Sequence, residues 1–292
     1  VPCYHPLKAY RSDSGEVVFH NAKVDGDTIE LPCGRCIGCR LERSRQWAIR
    51  CIHEAQLHED NAFITLTYKD MPEGASLDYR DFQLFMKRLR KHAKKPVRFF
   101  MCGEYGERLG RPHFHACLFG YDFPDKLVWS KGDKGARLYR SPSLDKLWPF
   151  GFSTIGPVNF ETAAYVARYV TKKVTGDAAE AHYRYIDPDG VVSNRQPEFC
   201  HMSLKPGIGA DWLRLFHKDV FPRGHVVLPN GSKGSLPRYY KKYFSKMLEY
   251  DQVEYQSYLH AQATAQDRTP ERLAVRELVA NSRNSLSSRS LK

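Results

Sequence analysis

The chain has 292 residues, 42% of them hydrophobic, with 45 Lys and Arg against 33 Asp and Glu, a formal charge of +12. That length and apolar content support a folded core and exclude a disordered polyelectrolyte. The positive excess favours nucleic acid as a partner over an anionic membrane: no run approaches the roughly 18 apolar residues of a membrane span, and residues 1–6 lack the apolar centre of a secretory signal.

Residues 1–40 read as irregular and cysteine-bearing, with short strands at Val17–Phe19 and Thr28–Leu31. Three of the eight cysteines form Cys33-x-x-Cys36-x-x-Cys39. Without a signal, this bunching points to reduced thiols rather than a disulfide framework. Cys33, Cys36 and Cys39 need a fourth ligand to close a tetrahedral zinc site. Cys51 is the leading choice, ahead of Cys3, His5 and His53. An iron–sulfur cluster is the rival reading, and reduced thiols beside a Gly34/Gly38 turn are the plainer one. A helix opens near Arg40, its apolar stripe running through Leu41, Ser44, Ala48, Cys51, Ile52 and Ala55, with Arg43 and Arg50 off it.

Ala62–Tyr68 is β-branched and aromatic, with both faces apolar, as in a central strand. Asp78 can cap the next helix, which buries Phe82, Phe85, Met86 and Leu89. Lys87, Arg88, Arg90, Lys91, Lys94, Lys95 and Arg98 then form an unbroken basic run. Such a run is a nucleic-acid footprint only if it lies beside the site; otherwise it is a solvated helix face. Strands are expected at Val97–Gly103 and His113–Phe119, an insertion at 121–150, a strand at Phe152–Val158, and a helix from Phe160 to about Lys173 capped by Asn159. The order gives an α+β fold with an antiparallel sheet backed by helices. Later, Tyr183–Ile186 and Val191–Val192 can form a hairpin, residues 212–218 a helix and His225–Leu228 a strand. Residues 233–246 interleave five basic residues with Tyr239, Tyr240, Tyr243 and Phe244, which suits phosphate contact with base stacking or, equally, an ordinary core. From 251 the chain reads as helical and polar, and 281–292 as disordered.

His113 and His115 are two apart on a strand, so their imidazoles share a face. Alone, the pair is more often structural than metal-binding. Glu104 alters that: a tight Gly-containing connection brings its carboxylate near both rings, and two imidazoles with one carboxylate hold a divalent ion with positions left open. Glu107, deeper in the turn, is a competing ligand, and Arg108 or Arg111 could instead pair with Glu104. Tyr165 and Tyr169 are four apart on one helix face, where packing alone would explain them. Beside a metal they acquire a chemistry. A phenol near pKa 10 needs cationic surroundings, such as Lys172, to attack phosphorus. Two phenols permit two successive transfers; plain hydrolysis would need neither.

Phe63–Tyr68, Gly103–Gly106, Arg111–Phe119 and Tyr165–Lys173, in that order, resemble the motifs of HUH-type replication initiators, and most nearly those of gokushovirus-like single-stranded DNA phages. Cys33–Arg40 and Trp47–Cys51 are similar to that group as well. The resemblance is strongest over residues 30–175. It implies a sheet of about five strands, metal ligation by His113, His115 and Glu104, Mg²⁺ or Mn²⁺, nucleophiles Tyr165 and Tyr169, an assisting Lys172, and a 5′-phosphotyrosine intermediate with release of a 3′-OH primer. Tyr169 is the expected first nucleophile because Lys172 and Lys173 neighbour it. Arg111, Arg168, Lys173, Lys241 and Lys242 are the candidate DNA contacts. The expected divisions are an arm with a basic helix at 1–60, a nicking core at 61–175, a DNA-binding extension at 176–250 and a tail at 251–292. The expected setting is the host bacterial cytoplasm, with single-stranded origin DNA as substrate. Host helicase and polymerase would act as partners, because no Gly-x-x-x-x-Gly-Lys-Ser/Thr occurs. A non-catalytic nucleic-acid-binding protein with a zinc module, a hydrolytic nuclease and a transposase-like enzyme are the competing readings.

Overall fold

The computed structural model describes residues 3–11, 16–19, 27–106, 109–131, 137–169, 173–174, 176–221, 223–247 and 269–286. The chain divides into two compact units, 1–43 with 256–289 and 44–255 with 290–292.

In the first unit, β1 (Leu7–Arg11) pairs antiparallel with both β2 (Val17–Val18) and β3 (Asp27–Leu31). The strands β2 and β3 were expected; β1 was not, since Ala9 is its one fully buried residue and its alternation is faint. Helix α1 (Ile37–Ala55) begins in this unit and ends in the second. The last described helix, Pro270–Leu286, also belongs to the first unit. Residues 281–286, expected to be disordered, continue that helix; 287–292 lie outside the described residues.

The second unit is built on one sheet. Its strands are β4 (Asn61–Tyr68), β5 (Arg98–Tyr105), β6 (Pro112–Phe119), β7 (Leu127–Lys131), β8 (Arg137–Arg140), β9 (Gly151–Gly156) and, beyond the hairpin β10 (Arg184–Ile186) and β11 (Val192–Asn194), β12 (Phe199–Met202). The order is β12-β5-β6-β4-β9-β8-β7, every pairing antiparallel. The α+β antiparallel expectation holds, with seven strands rather than about five. The extra strands come from the 121–150 insertion, which supplies β7 and β8, and from the later chain, which supplies β12. All three are short, and β12 is only half-buried throughout, so none carries a clear period.

Side-chain alternation sorts the sheet into two faces. Ile64, Leu66, Met101, Phe114, Ala116 and Leu118 face α2 (Tyr79–Ala93) and α3 (Pro142–Leu147), packing with Phe82, Phe85, Met86, Leu89 and Leu144. Asp78 caps α2, its Oδ1 accepting from the Arg80 N–H at 2.8 Å. On the other face, Phe63, Phe100, Cys102, Cys117 and Phe119 pack with Ala48 and Cys51 of α1 and with Ala163, Val166 and Ala167 of α4 (Phe160–Tyr169). Asn159 caps α4: Thr162 N–H donates to Asn159 Oδ1 at 2.8 Å, and Thr162 Oγ1 accepts from Asn159 N–H at 2.9 Å.

A third cluster joins α1 to α6 (Ala210–Val220) and α7 (Arg238–Met247) through Ile49, Trp212, Leu213, Val220, Phe221 and Tyr240, with α5 (Ala178–Tyr183) preceding β10 and the short pair β13 (His225–Val227) and β14 (Lys233–Ser235) lying between α6 and α7. Arg50, off the apolar stripe of α1, is nonetheless buried. Its guanidinium lies 4.0 Å from the Trp47 ring and 3.9 Å from the Tyr239 ring, and its Nε donates to Ile208 O at 2.9 Å. Stacking between two rings offsets the loss of hydration. Glu54, 2% exposed, accepts from Arg98 Nε at 2.5 Å and from Gly209 N–H at 2.7 Å.

Candidate metal and phosphate-processing site

The connection after β5 returns the chain so that Glu104 sits directly across from His113, and Cys102 across from His115. All three polar side chains therefore project from the α1/α4 face. His113 Nε2 and His115 Nε2 lie 2.8 and 2.9 Å from the same Glu104 oxygen, Oε1. One ligand atom from each residue lies within 4.8 Å of the others. Glu104 is 2% exposed and His115 6%, so an ion here would be largely shielded from water by protein.

The far ring nitrogens set the chemistry. His113 Nδ1 is 3.0 Å from the Arg111 carbonyl, which can only accept, so Nδ1 carries the proton. In the neutral ring, Nε2 then offers a lone pair toward Glu104, and a lone pair facing a carboxylate at 2.8 Å calls for a cation between them or a proton on the ring. His115 Nδ1 is held by Thr65 Oγ1 at 2.9 Å. Such outer hydrogen bonds orient metal-binding imidazoles. Adjacent ligand atoms on an octahedral ion with bonds of about 2.1 Å stand about 3.0 Å apart, close to the spacing seen. Burial alone would raise the Glu104 carboxyl, but hydrogen bonds and charge from His113 and His115 outweigh it and hold it at about 2. The carboxylate is anionic at any working pH. The cluster has the donor set of a divalent-metal site.

Tyr165 comes to the same place. Its hydroxyl is 3.4 Å from Glu104 Oε1, and its ring meets His115 edge-on at 5.0 Å between centroids. Phe63 stacks on His115 at 5.7 Å and meets Tyr165 edge-on at 6.5 Å. Ser44 of α1 donates to Ala164 O at 3.0 Å, fixing α4 where Tyr165 faces the strand. Burial pushes the Cys117 thiol up to about 12 and raises Cys102 as well, so the nearby thiols are neutral and not competing nucleophiles.

The remaining expected residues divide. Tyr169 ends α4, its side chain outside the described residues, and Lys172 lies outside them altogether. Lys173 is exposed and Arg168 half-buried. Arg111 is drawn into the fold, donating from one terminal nitrogen to Tyr68 O and Lys69 O at 2.8 and 2.5 Å, which fixes the turn that bears His113. Lys241 and Lys242 are on α7. There Tyr240 is fully buried, and Phe244 stacks on Phe221 at 3.5 Å, so these rings serve the core rather than bases. The α2 part of the basic run, Lys87 to Lys91, lies on the helix that covers the opposite face of the sheet from the imidazoles, and three of the run's arginines are structural: Arg88 donates to Leu147 O, Arg90 to Val97 O, and Arg98, on the imidazole side of β5 but at the opposite end of that strand from Glu104, to Glu54. It is not beside the site, and the solvated-face reading applies to its lysines.

Cys51 is fully buried among Phe63, Phe100, Cys102 and Cys117. It follows Cys39 on one helix by about 18 Å of rise and does not join the cysteine cluster. Cys3 does: its sulfur and those of Cys33, Cys36 and Cys39 all lie within 4.8 Å of one another. Thr65 is the position that residue spacing missed, and Cys3 takes the place expected first for Cys51. Thr65 stood within the Thr-Leu-Thr of the central strand, and Cys3 is 30 residues away in sequence.

The model for the replication-associated protein family ORF2/G2P matches residues 61–174, which span every part of this site. The chain is also 35% identical over 266 residues to the replication-associated protein VP4 of Bdellovibrio phage phiMH2K, covering 85% of this chain and 80% of that one. The chain belongs to the phage replication-associated protein family of HUH type. Two other members are similar: replication-associated protein ORF4 of Chlamydia phage 1, 31% identical over 76% of this chain and 55% of its own, and replication-associated protein ORF2 of Spiroplasma virus 4, 28% identical over 85% of this chain and 80% of its own. No solved structure matches the chain. Among the described residues, no helix is long and apolar enough to cross a membrane.

Proposed function

We propose that this replication-associated protein nicks single-stranded DNA at a replication origin and becomes joined to it through tyrosine. The observation that carries the reading is the meeting of the Tyr165 hydroxyl with the carboxylate that both imidazoles address. A hydrolytic nuclease has no use for a phenol in that position, and a passive DNA-binding protein has none for the metal donor set.

Glu104, His113 and His115 would hold Mg²⁺ or Mn²⁺, which when bound withdraws charge from the phosphoryl oxygens of the scissile link. The chain's own residues supply the rest. The layer of α4 against the sheet brings a phenol to the phosphate-binding position, so attack is effectively intramolecular. The tyrosyl oxygen bonds to phosphorus, the P–O3′ bond breaks, and the phenolic proton passes to the departing 3′ oxygen. The products are a 5′-phosphotyrosine and a 3′-OH that can prime synthesis, the bond energy being conserved for rejoining. Tyr165 and Tyr169, a turn apart, provide for opening and later resolving the strand, with Lys172 stabilising the phenolate. Arg111 acts by positioning the His113 turn, and Arg168, Lys173, Lys241 and Lys242 contact the DNA backbone. Host helicase and polymerase, in the bacterial cytoplasm, would complete replication.

The test is incubation with circular single-stranded origin DNA and Mn²⁺, followed by denaturing electrophoresis. A protein–DNA adduct is expected, lost in the Tyr165→Phe/Tyr169→Phe double variant while DNA binding persists. Cleavage without adduct, or adduct surviving in the double variant, overturns the assignment.

A further inference from the structure

The cysteines of the first unit form a second site that DNA cleavage does not use. Four sulfurs from Cys3, Cys33, Cys36 and Cys39 converge within 4.8 Å, all as free thiols. The sulfurs of Cys36 and Cys3 stand 3.9 Å apart. A tetrahedral ion with metal–sulfur bonds of about 2.3 Å sets its ligands about 3.8 Å apart. Backbone N–H groups are aimed at the sulfurs as well: Cys33 N–H at Cys3 Sγ (3.2 Å), Cys36 N–H at Cys33 Sγ (3.4 Å) and Tyr4 N–H at Cys36 Sγ (3.3 Å). Donors arranged around sulfur stabilise thiolates, the form that binds metal. Clusters of two or four irons spread four cysteine sulfurs over more than one metal atom, which needs a wider spread than this.

The surroundings explain why such a site is needed. The hydrophobic cluster here contains just three buried residues among those described, Tyr4, Cys36 and Leu273, with Ile37 and Ala280 packed beside them. Leu273 and Ala280 belong to α8 (Pro270–Leu286), which is also tied to the arm by Glu277 Oε2 to His5 Nε2 at 2.7 Å. A core this small does not order three chain segments distant in sequence; small units of this kind depend on a staple.

We propose that Cys3, Cys33, Cys36 and Cys39 bind a single structural Zn²⁺, and that this ion clasps the N-terminal arm and the start of α1 into the surface on which α8 docks. Cys3 supplies the fourth ligand. The reading does not depend on nicking activity.

The test uses the full chain purified under reducing conditions without chelator. Elemental analysis is expected to find about one zinc per chain, released by a mercurial reagent that titrates thiols and retained in the His113→Ala/His115→Ala variant. The Cys3→Ser and Cys36→Ser variants should lose the zinc. With the wild-type protein, zinc release should expose α8 to limited proteolysis, a readout that needs no variant to fold. Four outcomes overturn the proposal: no retained zinc, stoichiometric iron in its place, disulfides among these cysteines in the reduced preparation, or zinc that follows the histidines rather than the thiols. An α8 whose protection is unchanged after zinc release overturns the clasp.

Discussion

His53 makes the second unit acid-sensitive in a calculable way. Its ring is 5% exposed, stacks on Trp212 at 3.5 Å between centroids, and shares a hydrogen bond between Nδ1 and the Tyr240 hydroxyl at 2.9 Å. Burial among these rings lowers its pKa from 6.5 to about 3. The native state therefore keeps the ring neutral while the unfolded chain takes up a proton below pH 6.5. Stability attributable to the neutral ring is present above that value and is lost as pH falls, at about 1.4 kcal/mol per pH unit, until the folded ring titrates near 3. Between pH 7.5 and 5.0 the loss from this one group is about 2 kcal/mol. Urea unfolding of the wild type and His53→Phe at both pH values isolates the term, because other groups titrate alike in both. Phe retains the stack and cannot be protonated, so its loss on acidification should be smaller by about 2 kcal/mol. Equal losses in the two proteins would refute the linkage.

Other perturbations probe the metal site and the fold. Thr65→Val keeps the strand's β-branched shape but deprives His115 Nδ1 of its partner, and Mn²⁺ affinity measured by calorimetry should fall roughly 10–100-fold. Mn²⁺ at ten times its Kd should stabilise the wild type by about 1.4 kcal/mol in thermal denaturation; EDTA should abolish that gain, and His113→Ala should never show it. Glu54→Ala leaves the Arg98 guanidinium and the Gly209 N–H without their shared acceptor, and should cost about 3–5 kcal/mol, seen as a lower Tm with the metal site intact.

The metal site was legible because it is made by strand parity. His113 and His115 share a face whatever the details of packing, and Glu104 lay one tight connection away. The central strand, the capped helices and the tyrosine helix followed from equally local signals. What sequence could not supply was contact between distant segments. Cys3 closes a cluster with residues some 30 positions away, and β12 reaches back to β5 across the hairpin β10–β11. Arg50 lies off the apolar stripe that periodicity picks out, yet two aromatic rings hold it inside. The basic run from Lys87 to Arg98 could be a footprint only beside the site; its helical part lies on α2, across the sheet, and its arginines bond to backbone carbonyls and Glu54.

The relation between the two tyrosines follows from the same geometry. The backbone of α4 is helical at both residues 165 and 169, so their Cα atoms are separated by about 6 Å along the axis. A single phosphate beside a metal held by Glu104, His113 and His115 could not be in line with two phenols so displaced unless DNA or helix shifts between steps. If both act as nucleophiles, as proposed, they would have to act in succession. With the Tyr165 hydroxyl already against Glu104, the resting arrangement favours Tyr165 for the first cut, although Lys173 follows Tyr169 more closely in sequence. Tyr165→Phe should therefore depress the initial adduct more than Tyr169→Phe does, while Tyr169→Phe should spare the first cut and impair strand resolution. The reverse pattern, read by peptide mapping of the trapped adduct, would show that α4 moves before chemistry begins.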